Sequence, residues 1–164
     1  MKGRHVALQG LAALSRAGAQ KASCTVSSSE QHELTADAGR LSLLRTTFQS
    51  SVGMMAIRDQ RRGASGTNKT TPEALESLAS DTLGIARASQ PDEAYDIAEH
   101  QPSGVFSLGP EDADRSAMLA SLSQFLETCR LRYPAAIIEQ AILQFTRTVT
   151  HVVNTNGVDF AVTK

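Results

Sequence analysis

The spacing of apolar positions changes along the chain, and each change predicts a different kind of element. Leu8, Leu11, Ala12 and Ser15 recur at helical spacing, which predicts a helix over residues 4–18 stopped by Gly18. From about Ala22 to Asn68 the pattern shifts to short β-branched and apolar runs broken by turn formers. Two such runs cover residues 41–48 and 52–58, flanked by turns at Asp37-Ala38-Gly39 and within Arg58–Gly63. This texture predicts an antiparallel meander of four or five strands.

At Thr70 the period becomes helical again. Thr70 and Glu73 have the spacing of a capping box, and Pro72 suits a first helical turn. Leu75, Leu78, Ala79, Thr82, Ile85 and Ala86 trace one buried face of a helix ending near Ala88. Residues 89–111 carry three prolines and two glycines with no sustained period, and read as a long connection with room for one short helical turn. A third helix is predicted over residues 112–133. Its buried side would hold Met118, Leu119, Leu122, Phe125, Leu126 and Cys129, its charges match the helix dipole, and Pro134 closes it. Residues 137–145 and 147–153 read as two strands, Asn156-Gly157 as a hairpin turn, and Val158–Thr163 as a further strand.

The expected fold is therefore α+β: a mainly antiparallel sheet, built from an N-terminal meander and a C-terminal strand pair, packed with about three helices. We read residues 1–164 as one such domain, the N-terminal domain of a longer protein. Within it, residues 1–68 supply a helix and the meander, 69–111 a helix and a long link, and 112–164 a helix and strands. A strand that begins at Val158 would offer a fresh edge, so the sequence is expected to continue past Lys164 and the exposed strand to seek a partner.

Composition narrows the function. The 164 residues are 41% hydrophobic, enough for a real core, but only 4% aromatic and without tryptophan. Stacking platforms for single-stranded nucleic acid are scarce. A net charge of −1 gives no field to attract nucleic acid or anionic lipid. No apolar run is long enough to span a bilayer. The N-terminus imitates a signal peptide, but Arg16 interrupts the supposed cleavage region and the helical spacing favours an amphipathic helix. A cytoplasmic location is expected. Cys24 and Cys129 form no CxxC pair; they are either a long-range disulfide or two buried thiols, the latter fitting a reducing compartment.

Candidate chemistry is thin. Gly63–Thr70 nearly matches a P-loop, yet Asn68 replaces a needed glycine and Pro72 removes an N–H where phosphate would bind. His5, His32, His100 and His151 are isolated, and His32-Glu33 lacks the second histidine of a zinc protease helix. There is no GxSxG elbow, and no local motif activates Cys24. The acid pairs Asp112/Asp114 and Asp92/Glu93 sit at a helix start and in a loop. Arg58, Arg61, Arg62 and Lys69 cluster around one hairpin, where charge commonly protects a sheet edge. No catalytic, cofactor-binding or metal-binding residue is expected in this chain.

The order of elements resembles the N-terminal region of the TldD/PmbA family. Gly39-Arg40-Leu41 followed by Val52–Ile57 is similar to the family's glycine-led strand pair. Arg62–Asn68 followed by Thr71-Pro72-Glu73-Ala74-Leu75 resembles its small-residue run leading into an (S/T)-P-E-A-L helix, and Ile85–Ala88 with Pro91-Asp92 resembles that helix's exit. Val153–Gly157 is similar to its N-S-N-G hairpin, while Lys69 stands where an acidic residue is common. The small-residue run and the helix exit look closer to the PmbA (TldE) branch. The resemblance implies a structural and partner-binding domain of an intracellular protease subunit, one of the proteins also called modulators of DNA gyrase. TldD and PmbA pair as a heterodimeric peptidase acting on unfolded peptides, with a zinc motif of HExxxH type in the C-terminal half of TldD only. The implied partners are a TldD-like subunit or a second copy, with zinc confined to the former. The alternative is a free-standing α+β module that binds a peptide or protein through a sheet edge.

Overall fold

The computed structural model describes Lys2–Lys164, in which α1 (Lys2–Ala17), α2 (Pro72–Ala88) and α3 (Arg115–Arg132) accompany a six-stranded sheet. The strands are β1 (Lys21–Asp37), β2 (Arg40–Arg58), β3 (Arg61–Thr67), β4 (Gly104–Ser107), β5 (Gln140–Asn154) and β6 (Asp159–Thr163), in the order β3-β2-β1-β5-β6-β4. The sheet is mostly antiparallel; β4 and β6 run parallel. This is the expected α+β class with its three helices.

The strands are fewer and longer than predicted. Residues 41–48 and 52–58 are not separate strands but parts of the 19-residue β2, and 137–145 and 147–153 merge into the 15-residue β5. Polar Gln49-Ser50-Ser51, which lies between the two predicted runs, does not break the strand. Ladder bonding uses backbone groups, so polar side chains do not interrupt a strand whose neighbour continues. Two of the turns fall where the sequence places them. Ala38 and Gly39 take φ of 47° and 73°, and Asp59 and Gln60 take 52° and 58°, the primed geometry of two-residue hairpins. Inside the expected link lies β4, whose parallel partner β6 is remote in sequence and leaves no local signal.

The chain divides into two compact units. The first runs to Ser28 and adds Gln49–Leu108 and Thr148–Thr163. In it α1 and α2 lie side by side, and period-two positions of the sheet face them: Ala22, Cys24 and Val26 from β1, with Val52, Met54 and Ala56 from β2. Leu14, Leu75, Leu78 and Leu83 complete this core. On α2 the buried face includes Leu83, while Ile85 is exposed, so the apolar stripe is rotated from the predicted one. The helix cap is Thr71 rather than Thr70: its hydroxyl accepts from the Ala74 N–H, and Pro72 follows at the first helical position. Residues 91–98 run close to three strand ends. Asp92 N–H donates to Gln60 O, Lys21 pairs with Asp96, and the Asn154 amide donates to Ala98 O, while Ile97 is buried.

The second unit comprises Ser29–Phe48, Gly109–Arg147 and Lys164. Here the later part of β1 and the earlier parts of β2 and β5 carry α3, which is capped by Asp114 accepting from Ala117 N–H at 2.9 Å. Its core is small: Leu34, Ala36 and Leu122, flanked by Met118, Leu126, Ala141 and Leu143. Of the six α3 residues predicted to be buried, only Leu122 is; Met118, Leu126 and Cys129 are half-buried, and Leu119 and Phe125 are exposed. One helix on a narrow strip of sheet covers the middle of its apolar stripe and leaves the flanks open.

β6 is paired on both sides, antiparallel to β5 over Asp159–Thr163 and parallel to β4. The expectation that it presents an unpaired edge is overturned: β4 fills the position.

Candidate interaction surface

The residues singled out for chemistry are dispersed and mostly engaged. Gly63–Thr67 is strand, paired with Val52–Ala56 of β2, so the backbone forms no phosphate cradle. Among the described residues no group of three His, Cys, Asp or Glu side chains converges as metal ligands would. His5 is exposed at α1, and His100 contacts Gly157 O at 3.2 Å through Nδ1. His151 packs beside Gly3, and burial first of all holds its imidazole below the usual range. Cys24 and Cys129 are both free thiols, but only Cys24 is buried; Cys129 is half-buried. Burial in the core pushes the Cys24 thiol up to about 12, so its nucleophilic thiolate is suppressed.

The hairpin arginines serve the fold. Arg61 donates to the backbone oxygens of Arg87 and Ser89, tying β3 to the exit of α2. Arg62 stacks over Tyr95 at 4.8 Å, and Arg58 reaches Gly18 O. Asp112 and Glu93 are exposed, Asp114 caps α3, and the Asp92 carboxylate accepts from Ala94 N–H at 2.9 Å.

The neighbours His32 and Glu33 are both buried in the second unit, inside a hydrogen-bond network that the sequence does not disclose. His32 accepts or donates through Nδ1 to Thr46 Oγ1 at 3.1 Å, with Nε2 placed 2.9 Å from Glu30. Glu33, only 4% exposed, accepts from Gln144 at 2.8 Å and from Arg45 at 3.0 Å. These hydrogen bonds, Gln144 foremost, hold its carboxyl below the usual carboxylate range. The partners come from three strands, so no local motif could have announced them.

The most distinctive surface of the second unit is apolar. Leu34 and Leu41–Leu44, with Arg115, Ser116 and Leu119 of α3, line an open groove of about 400 Å³. A second groove of about 420 Å³ lies between α3 and β5, lined by Leu122, Phe125, Ile138 and Ile142 among others. Leu44, Phe48, Leu131 and Ile137 are each at least 60% exposed. Apolar side chains gathered in this way mark an interaction site more often than isolated ones do.

No family model matches the sequence, and no curated protein matches it. Solved structures do match its fold. TldE from Thermococcus kodakarensis superposes with a TM-score of 0.77 at 16% identity, covering 96% of this chain and 36% of that one. A protein from Bacteroides thetaiotaomicron carrying the name modulator of DNA gyrase gives 0.69 at 16% identity, over 99% of this chain and 38% of its own. A protein of the same name from Thermotoga maritima gives 0.67 at 13%, over 97% and 36%. By fold the chain is similar to TldE and to these gyrase-modulator proteins, while spanning little more than a third of the length of each.

Proposed function

We propose that this chain acts as a structural and partner-binding domain of a TldE-like protease subunit and holds no catalytic centre itself. The observation that carries the reading is the likeness to TldE over 96% of the chain, together with the motif order that resembles the PmbA branch. The open apolar flanks of α3 support it, because a domain that works inside an assembly presents such surface for a partner to cover. In this role the domain helps to form a cytoplasmic peptidase with a TldD-like subunit and shapes the route by which unfolded peptides reach that subunit's zinc site. No helix among the described residues is long and apolar enough to cross a membrane, which is compatible with that setting.

The test is co-expression with a TldD-like protein, followed by sedimentation and a zinc-dependent peptidase assay. The expected result is a defined complex, with peptide cleavage that needs the TldD-like chain and its zinc, and neither bound zinc nor cleavage from this chain alone. A chain that stays monomeric at high concentration and ignores the partner overturns the proposal.

A further inference from the structure

We propose that the Arg40–Phe48 edge of β2 binds an extended, carboxylate-bearing peptide as an added antiparallel or parallel strand. The inference rests on the second unit's own geometry and not on the subunit role above. On β2, β3 pairs with Val52–Arg58, so among the described residues Arg40–Phe48 has no strand on its outer side. Among the described residues no turn or loop backbone group bonds to this segment either. Its outward N–H and C=O groups are therefore a template for another strand.

Edges that must remain bare are usually protected by proline, bulges or charged side chains, lysine above all. Arg40–Phe48 reads Arg-Leu-Ser-Leu-Leu-Arg-Thr-Thr-Phe; it has no proline, lysine or acid, and of its two arginines Arg45 is engaged with Glu33. Beside it lies the groove lined by Leu34, Leu44, Arg115 and Leu119, which can receive alternate side chains of an added strand. A neighbouring hollow brings in Arg40, Glu127 and Arg130. Arg40, Arg115 and Arg130 form no ion pair among the described residues, and Arg45 already holds Glu33. Among the residues lining these two hollows, Arg40, Arg115 and Arg130 outnumber Glu127, so their excess charge is positive.

That charge selects the occupant. A second copy docking by the same edge would bring Arg40 and Arg45 of both copies to one seam with no carboxylate from the segment to offset them. A peptide alternating apolar residues with glutamate or aspartate satisfies the backbone template, the groove and the guanidiniums together.

The experiment uses the whole chain and a fluorescein-labelled decapeptide alternating valine with glutamate and threonine. Two controls are its glutamate-to-lysine counterpart and a version N-methylated at alternate residues. Fluorescence anisotropy should show saturable binding, at least about tenfold weaker for the lysine peptide and lost for the N-methylated one. Leu44→Lys should weaken binding, and Arg115→Glu should reduce the preference for glutamate over lysine. Equal binding of all three peptides, or none by any, overturns the proposal. So does sedimentation showing that the edge is consumed by self-association. Because the N-methylated peptide is tested on the unaltered chain, that result does not depend on how a variant folds. A chain that assembles with a TldD-like protein but ignores the peptide rejects this inference and leaves the subunit role standing.

Discussion

A β-carbon placed on Gly63 would lie 2.5 Å from the backbone nitrogen of Ala86, so β3 and α2 meet there backbone to backbone. The nearby Ser65 and Thr82 hydroxyls, 2.6 Å apart, fix the same approach, and Thr82 also donates to Leu78 O. Gly63→Ala should therefore force the helix off the sheet and cost about 1–3 kcal/mol. A chemical-denaturation midpoint well below that of the parent is the expected outcome. An unchanged midpoint would mean the helix moves freely at this contact.

Asn154 organises the β5–β6 connection. Its side-chain oxygen accepts from Asn156 N–H and Val158 N–H, each at 2.9 Å, and its amide donates to Ala98 O at 2.7 Å. Asn154→Ala leaves the buried Val158 N–H without this acceptor, at a cost of about 1–3 kcal/mol. Faster amide hydrogen exchange at Val158 would locate the loss in that turn.

Glu33 predicts an acid-sensitive second unit. Its folded-state pKa lies below the ordinary value of 4.5, first because of Gln144 and then Arg45. The stability it contributes is present above that unfolded value and is lost as pH falls through the lower, folded one. Glu33→Gln should flatten this part of the profile. Denaturation midpoints of parent and variant, taken on either side of pH 4.5, should converge as pH falls.

Cys24 predicts the opposite end of the pH scale. Because burial raises its thiol from 9.0 to about 12, the unfolded chain releases a proton that the folded chain keeps. Its contribution to stability is complete below pH 9 and declines as pH rises towards about 12. In the native state at pH 8, a thiol reagent should modify the half-buried Cys129 first and reach Cys24 only after unfolding. Mass spectrometry of the labelled peptides distinguishes the two.

How much of this was legible depended on the range of the interaction. The helices and both two-residue hairpins could be read because capping residues, Pro72 and the turn at Ala38-Gly39 act within a few positions. The α+β class followed from them. Strand length could not be read, because β2 continues through Gln49–Ser51 on the strength of its neighbour's backbone. Nor could the candidate surface. Leu44 and Leu119 look like ordinary core positions until the sheet proves too narrow to cover them, and the bare edge at Arg40–Phe48 is defined by where β3 stops.

The position of β6 between β5 and β4 also sets an order of events. As the chain leaves the ribosome, Gly104–Ser107 emerges long before Asp159–Thr163, the only strand it pairs with among the described residues. Until those residues appear, β4 has no ladder to join, and closing so long a loop is slow. The β1–β2–β3 meander, joined by tight turns, can form early. That side of the sheet can therefore form first, while the β5–β6–β4 side waits until Asp159–Thr163 has been made.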